Sequence, residues 1–225
     1  MTTSVLSRYR RATATVPYDY RRNFRHLYWD IAWYGLLAGS SIAFLAVYAA
    51  RIGASAFEIG LLTAGPAAVS LIATMPFGQW LVTRPIGRST FWMAVLFRLG
   101  YFFWIFVPLL ALPSLQIWTL IILVLITSIP GTALAIGFNA LYAAAVPPEW
   151  RGHVAGIRHA LLAGAYIVSS LLCGMLLDVL PFTLGYQVVF ALGFLGATLS
   201  TVHLFGLRNV RSESEPAPVR APTQD

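Results

Sequence analysis

The 225-residue sequence has no lysine, a single cysteine and very few charges: Asp, Glu and Arg together make up 10% of it. Soluble globular chains carry about 25% charged residues, so this composition cannot build a surface for water. The lone Cys173 cannot close an intrachain disulfide, which excludes a disulfide-stapled scaffold. No His-Glu-x-x-His run and no cysteine pair occurs, so metal chemistry lacks ligands. The four histidines, His26, His153, His159 and His203, all fall near the ends of apolar runs. A Ser–His pair acting at the middle of a membrane would need a deeper histidine. No catalytic, cofactor-binding or metal-binding residues are expected, and the chain does not read as an enzyme.

Apolar residues are in excess, at 58% of the chain with a mean hydropathy of +0.74. A spanning helix with its share of loop takes about 35 residues, which sets an expectation of about six spans. Breaking the sequence at charges and turn residues gives six apolar blocks, about 31–50, 59–83, 89–112, 115–146, 154–177 and 182–205. The first holds 20 uncharged residues between Asp30 and Arg51, about 30 Å of helix and one hydrocarbon core. The fourth is longer than one span requires and is interrupted by Pro130-Gly131. The expected fold is an all-α polytopic membrane protein with a six-helix domain over 27–206. A basic, partly disordered arm (1–26) precedes it and a disordered tail (207–225) follows.

All fifteen basic residues are Arg, and the formal charge is +7. The aromatics sit in the spans rather than among the arginines, so a nucleic-acid partner is not expected. If six helices alternate, thirteen of the fifteen arginines fall on one side, Arg51 lies on the other and Arg98 lies within a span. The positive-inside rule then places both termini in the cytoplasm of a cell (plasma) membrane protein.

Two connections stand out. Between spans two and three the chain reads Gly78-Gln-Trp-Leu-Val-Thr83-Arg84-Pro-Ile-Gly87-Arg88, a tight basic turn. Between spans four and five it reads Pro147-Pro148-Glu149-Trp150-Arg151-Gly152-His153-Val-Ala-Gly156-Ile-Arg158. Gly152, Gly156, Ala160 and Gly164 then form a ladder of small residues that permits close helix contact. Asp30, Tyr34, Leu37, Ser41 and Tyr48 follow one another at helical spacing on span one. Ser128, Thr132, Ala135 and Asn139 do so on span four, with Tyr142 one turn on. Each stripe either faces a solute or bonds back to its own helix.

Arg98 is the one charge deep in a span, and on insertion scales it costs about 2.5–3.5 kcal/mol unless paired. It either contacts a substrate or coupling ion, or is structural and bonds Asp30, Asn139 or backbone carbonyls. Under the structural reading, Arg98→Leu would destabilise the protein by about 1–3 kcal/mol. The aromatic run Tyr101–Trp104 with Phe106 reads as lipid-facing or interfacial.

These features resemble the amino-terminal half of a major facilitator superfamily (MFS) transporter over nearly the whole chain. The first loop is similar to that family's G-x-x-x-D-R-x-G-R-R signature at Gly78, Arg84, Gly87 and Arg88. Thr83 replaces its acid, Ser89 its last basic residue, and the spacing is one residue longer on each side. The second loop is similar at Pro147, Arg151, Gly152 and Gly156 to the family's Pro-x-x-x-Arg-Gly-x-x-x-Gly pattern, and Arg158 follows as a further motif-loop residue. The Gly-Pro-rich stretch of antiporters is missing from residues 163–174.

The resemblance implies a half-bundle of two inverted three-helix repeats that moves a solute by alternating access, with a second six-helix half supplied by another chain or a second copy. It also implies that spans one and four line the cavity and that span three is peripheral, which favours the structural reading of Arg98. Carboxylates are absent from helix centres, so the expected solute is a small amphipathic or apolar compound. The alternative is a non-transporting six-helix membrane subunit or an inactive truncated fragment.

Overall fold

A computed structural model describes residues 18–207. Among these residues there is no strand, and six helices are long and apolar enough to cross a membrane. The chain is an all-α polytopic membrane protein. The first span is composite: helix α1 (Tyr18–Leu37), a π-helical turn (Ala38–Ile42) and α2 (Ala43–Arg51). The remaining five are α3 (Ala56–Val82), α4 (Ile86–Trp104), α5 (Pro113–Ala145), α6 (Arg151–Val179) and α7 (Phe182–Phe205).

Local chemistry sets the boundaries. Gly53, at φ 91°, makes the turn after α2 in a backbone region that disfavours a β-carbon. Ser55 then caps α3 in a reciprocal box with Glu58, the Ser55 amide donating to the carboxylate at 2.7 Å and the Glu58 amide donating to the Ser55 hydroxyl at 3.3 Å. Prolines open or precede α5 and α7, where their missing N–H costs nothing.

Two boundaries differ from the sequence reading. The first helix begins at Tyr18, so residues 18–26, expected in a partly disordered arm, are helical. Asn23, Phe24 and Leu27 are buried on its inner side while Arg21, Arg22 and Arg25 stay exposed. The helix is amphipathic, and its charges mask it in a hydropathy reading. The interruption expected at Pro130-Gly131 is also absent, since α5 runs unbroken through both residues. A membrane helix tolerates such a proline because neighbouring groups satisfy the carbonyl it leaves free. The rest of the expected arm (1–17) and the expected tail from residue 208 on lie outside the described residues.

The spans pack in an arc. The first contacts the fifth and the sixth, the sixth contacts the third, the third the fourth, and the fourth the second. The arc order, five–one–six–three–four–two, maps onto itself in reverse when spans one to three are exchanged with four to six. Alternating spans make that exchange an inversion. The arc ends at the second and fifth spans, where only 11% of the apolar window is buried, against 39–44% in the other four.

Small residues allow the close approaches. A β-carbon on Gly35 would meet Ala165, and one on Gly39 would meet Ser169 and the Tyr166 carbonyl, so the first and fifth spans touch through glycine. Gly193 and Gly196 of α7 do the same against Ser41 and the Trp33 carbonyl. The ladder expected to make such contacts does not: Gly152, Gly156 and Gly164 face open space, and Ala160 is exposed. The helix turns a different face to its neighbour, because Ala165 and Ser169 fit the glycines of span one.

The end of the bundle near Arg51 is filled by an aromatic cluster. Tyr48 lies edge-on to Tyr186 at 4.7 Å and to Phe190 at 5.6 Å, and Trp104 is edge-on to Phe190 at 5.8 Å. The buried Tyr48 hydroxyl donates to Gln116 Oε1 at 2.6 Å. The aromatic run on α4 therefore splits by helical period: Tyr101 and Trp104 are core, and Phe102, Phe103 and Phe106 are exposed, so only these three fit the lipid-facing expectation.

Candidate functional site

Three charged side chains meet inside the bundle, in its arginine-rich half. Asp30 lies twelve residues into α1 and is buried. Arg158 lies seven residues into α6, about 10 Å along the helix, and its guanidinium nitrogens donate to Asp30 Oδ2 at 3.2 and 3.3 Å. The same guanidinium donates to the Leu27 carbonyl at 2.7 Å and lies over the Phe138 ring, 4.8 Å from its centroid.

The other carboxylate oxygen, Asp30 Oδ1, accepts from the Ser200 hydroxyl at 2.6 Å. Ser200 in turn accepts from Arg98 Nη2 at 2.8 Å, and Thr201 accepts from Arg98 Nη1 at 2.6 Å. The Thr201 hydroxyl itself donates to the Ala197 carbonyl at 3.0 Å. Arg98 is buried, and its Nε–H has no partner among the described residues.

Arg98 is thus linked to Asp30 through a hydroxyl rather than directly. The structural reading expected Asp30, Asn139 or backbone carbonyls as partners. In their place stand two hydroxyls of the sixth span. The reason is reach: α4 and α7 pack side by side, and the long Arg98 side chain meets the Ser200-Thr201 step before it can reach span one.

This cluster lies in the wall of a cavity of about 550 Å³, within the range of small-molecule sites of roughly 300–1,000 Å³. The first span contributes Asp30 and Tyr34. The second contributes Pro66, Ser70 and Thr74, and the third Phe97 and Arg98. The fourth contributes Ser128, Thr132 and Asn139, the fifth Arg158, and the sixth Ser200 and Leu204. The Thr132 hydroxyl lies 2.9 Å from that of Ser70, joining the second and fourth spans across one wall. Ser128 and Thr132 also donate back to the carbonyls of Val124 and Ser128, at 2.6 and 2.9 Å.

Of the stripe on span four, Ser128, Thr132, Ala135 and Asn139 all line this cavity. Tyr142 does not: its hydroxyl donates to the Arg151 carbonyl at 2.8 Å. The stripe on span one divides. Asp30 and Tyr34 face the cavity, whereas Ser41 is buried at the sixth span, 3.4 Å from the Phe190 carbonyl. The π-helical turn that contains Ser41 adds a residue to one turn and rotates everything beyond it.

The motif residues separate as well. Gly78 and Gly87 have open space around them, and Arg84 and Arg88 are exposed, with Arg84 over the Trp80 ring at 6.0 Å. Arg151 donates to the Ala143 carbonyl in the last turn of α5 at 2.8 Å and to that of Val146 just beyond it at 3.3 Å, and so caps the preceding span. Arg158, expected in a cytoplasmic loop, is a cavity residue. Sequence reasoning missed Ser200 and Thr201 altogether. Their signal was an adjacent pair of hydroxyls in an apolar span, at a depth that a buried arginine could reach. No group of His, Cys, Asp and Glu among the described residues could hold a metal ion. Comparisons with family models and with curated proteins find no match for this chain.

Proposed function

We propose that the chain is a transporter half, similar to the amino-terminal half of an MFS protein, that moves a small solute across the plasma membrane by alternating access. The observation that carries this reading is the charged cavity itself. Ionisable groups at depth in a membrane are costly and are kept where they face a solute or water pathway. Here Asp30, Arg98 and Arg158 converge from three different spans on one cavity of ligand size. The arc order, unchanged by exchange of its three-span halves, supports an inverted repeat, the architecture in which a site between repeats opens to either side. The sparsely buried second and fifth spans fit a bundle whose open side meets a second six-helix half, from another chain or a second copy, with lipid around both. Both termini are assigned to the cytoplasm from the arginine distribution.

Single cysteines test this in sealed vesicles with a membrane-impermeant thiol reagent. Cys173 is buried and serves as a silent background. Ala54→Cys should react from outside and Gly152→Cys only after permeabilisation, which checks the orientation. Asn139→Cys, in the cavity wall, should react from both sides as the cavity alternates. Reaction from one side alone would instead favour a non-transporting membrane subunit.

A further inference from the structure

The charges of the cavity do not cancel. Two guanidinium groups, Arg98 and Arg158, face one carboxylate, Asp30, and among the described residues the cavity has no other charged group. Both oxygens of that carboxylate are engaged, one by Arg158 and the other by the Ser200 hydroxyl. Among the described residues, Arg98 hydrogen-bonds only neutral hydroxyls, and its Nε–H has no partner. A guanidinium has five N–H donors in one plane, so most of the donor capacity of Arg98 is unspent. A cation entering this cavity would find no free carboxylate oxygen and one positive charge in excess. A neutral solute would leave that excess unbalanced in a low-dielectric site.

We propose that the cavity takes a small organic monoanion, a carboxylate on an apolar body, with Arg98 supplying the charge it pairs with. The proposal rests on the transporter reading for the cavity's role as a solute site. It narrows the amphipathic or apolar solute that the sequence suggests to an anionic one, because that expectation did not place Arg158 in the wall. The remainder of the lining fits an apolar body: Phe97, Phe138, Pro66 and Leu204 also line the space. The hydroxyls of Ser70 and Thr132, on the wall formed by the second and fourth spans, offer a polar contact apart from Arg98.

Three probes with the same apolar body separate the possibilities: 4-phenylbutyrate, its amide 4-phenylbutyramide, and 4-phenylbutylamine. Thermal unfolding of the full chain in lipid nanodiscs at neutral pH reads their binding. The carboxylate should stabilise the protein at concentrations about ten- to hundredfold below those the amide needs, the range of a charge-assisted hydrogen bond. The amine should give no shift. Arg98→Gln should erase the difference between carboxylate and amide. Should that variant fail to fold, Asn139→Asp carries the same test, because Asn139 is exposed in the wall and Asp is its isostere. It brings the cavity to neutrality without removing a cation, and the carboxylate preference should vanish with it. Equal stabilisation by carboxylate and amide, preference for the amine, or no shift with any probe overturns the proposal. Carboxylate binding with a cavity reached from one side only would keep the anion site and defeat the transport reading. Two-sided access without carboxylate preference would do the reverse.

Discussion

An excess of one cation makes a specific statement about stability, because the three charges then cannot be equivalent. Removing the acid by Asp30→Asn leaves two guanidinium groups, the buried Arg98 and the partly buried Arg158, with no counter-charge. Removing one cation by Arg158→Gln leaves Asp30 balanced by Arg98 through Ser200. The Asp30 and Arg158 side chains are 8% and 11% exposed and 3.2 Å apart, so solvent screens the pair little. At that 3.2 Å separation the gross attraction is about 5 kcal/mol at an effective dielectric of about 20, before desolvation is subtracted. Breaking a buried pair from one side costs about 3–5 kcal/mol, and Asp30→Asn should fall in that range. Arg158→Gln also loses the Leu27 carbonyl and the Phe138 ring, but it should cost less, about 2–3 kcal/mol. The double variant restores the single uncompensated charge of the parent and should cost about 2 kcal/mol less than the two changes added together. Denaturant unfolding of the whole chain in detergent micelles measures the cycle. Additivity within about 0.5 kcal/mol would falsify the ion pair, and a larger cost for Arg158→Gln than for Asp30→Asn would refute the charge count.

Two further outcomes follow from the packing and the hydroxyl network. Gly39→Ala drives a β-carbon into Ser169 and the Tyr166 carbonyl and should destabilise by about 1–3 kcal/mol, whereas Gly164→Ala projects into open space and should stay within about 1 kcal/mol of the parent. Equal melting temperatures for the two variants would contradict the contact between the first and fifth spans. Arg98→Leu should alter stability by less than about 1 kcal/mol, contrary to the loss expected if Arg98 directly bonded an acid or amide, because Ser200 keeps Asp30 and Thr201 keeps the Ala197 carbonyl. A loss above about 2 kcal/mol in the same unfolding assay would mean that Arg98 carries an indispensable bond.

The spans were legible because one bilayer thickness of apolar residues leaves few alternatives, and the structure contains six helices long and apolar enough to cross. What hydropathy hides is a helix that is half charged. The segment from Tyr18 alternates Arg21, Arg22 and Arg25 with the buried Asn23, Phe24 and Leu27, so its mean resembles that of an arm although its period is that of a helix. Arg158 was misplaced for a related reason. A motif that begins at a loop invites its last residue to be read as loop, yet α6 starts at Arg151 and carries Arg158 two turns inward.

The two polar stripes show where periodicity stops being informative. On span four the helix is uninterrupted from Pro113 to Ala145, and Ser128, Thr132 and Asn139 reach the cavity together as a 3.6-residue period requires. On span one the period holds from Asp30 to Tyr34 and then fails, because the backbone opens into a π-helical turn at Ala38–Ile42. Nothing local demands that turn: Gly39, Ser40 and Ser41 could continue an α-helix. These residues are buried between Ser169 on one side and Gly193 on the other, so the turn sits where three spans meet. Its register is therefore a property of the packed bundle. The same holds for the charge network. A buried acid and a buried arginine were bound to find partners, but the atom that joins them is the Ser200 hydroxyl, 170 residues from Asp30 in sequence. The charged residues can be counted from the sequence, whereas which of them share the cavity, and the relay that connects them, exist only after the spans have docked.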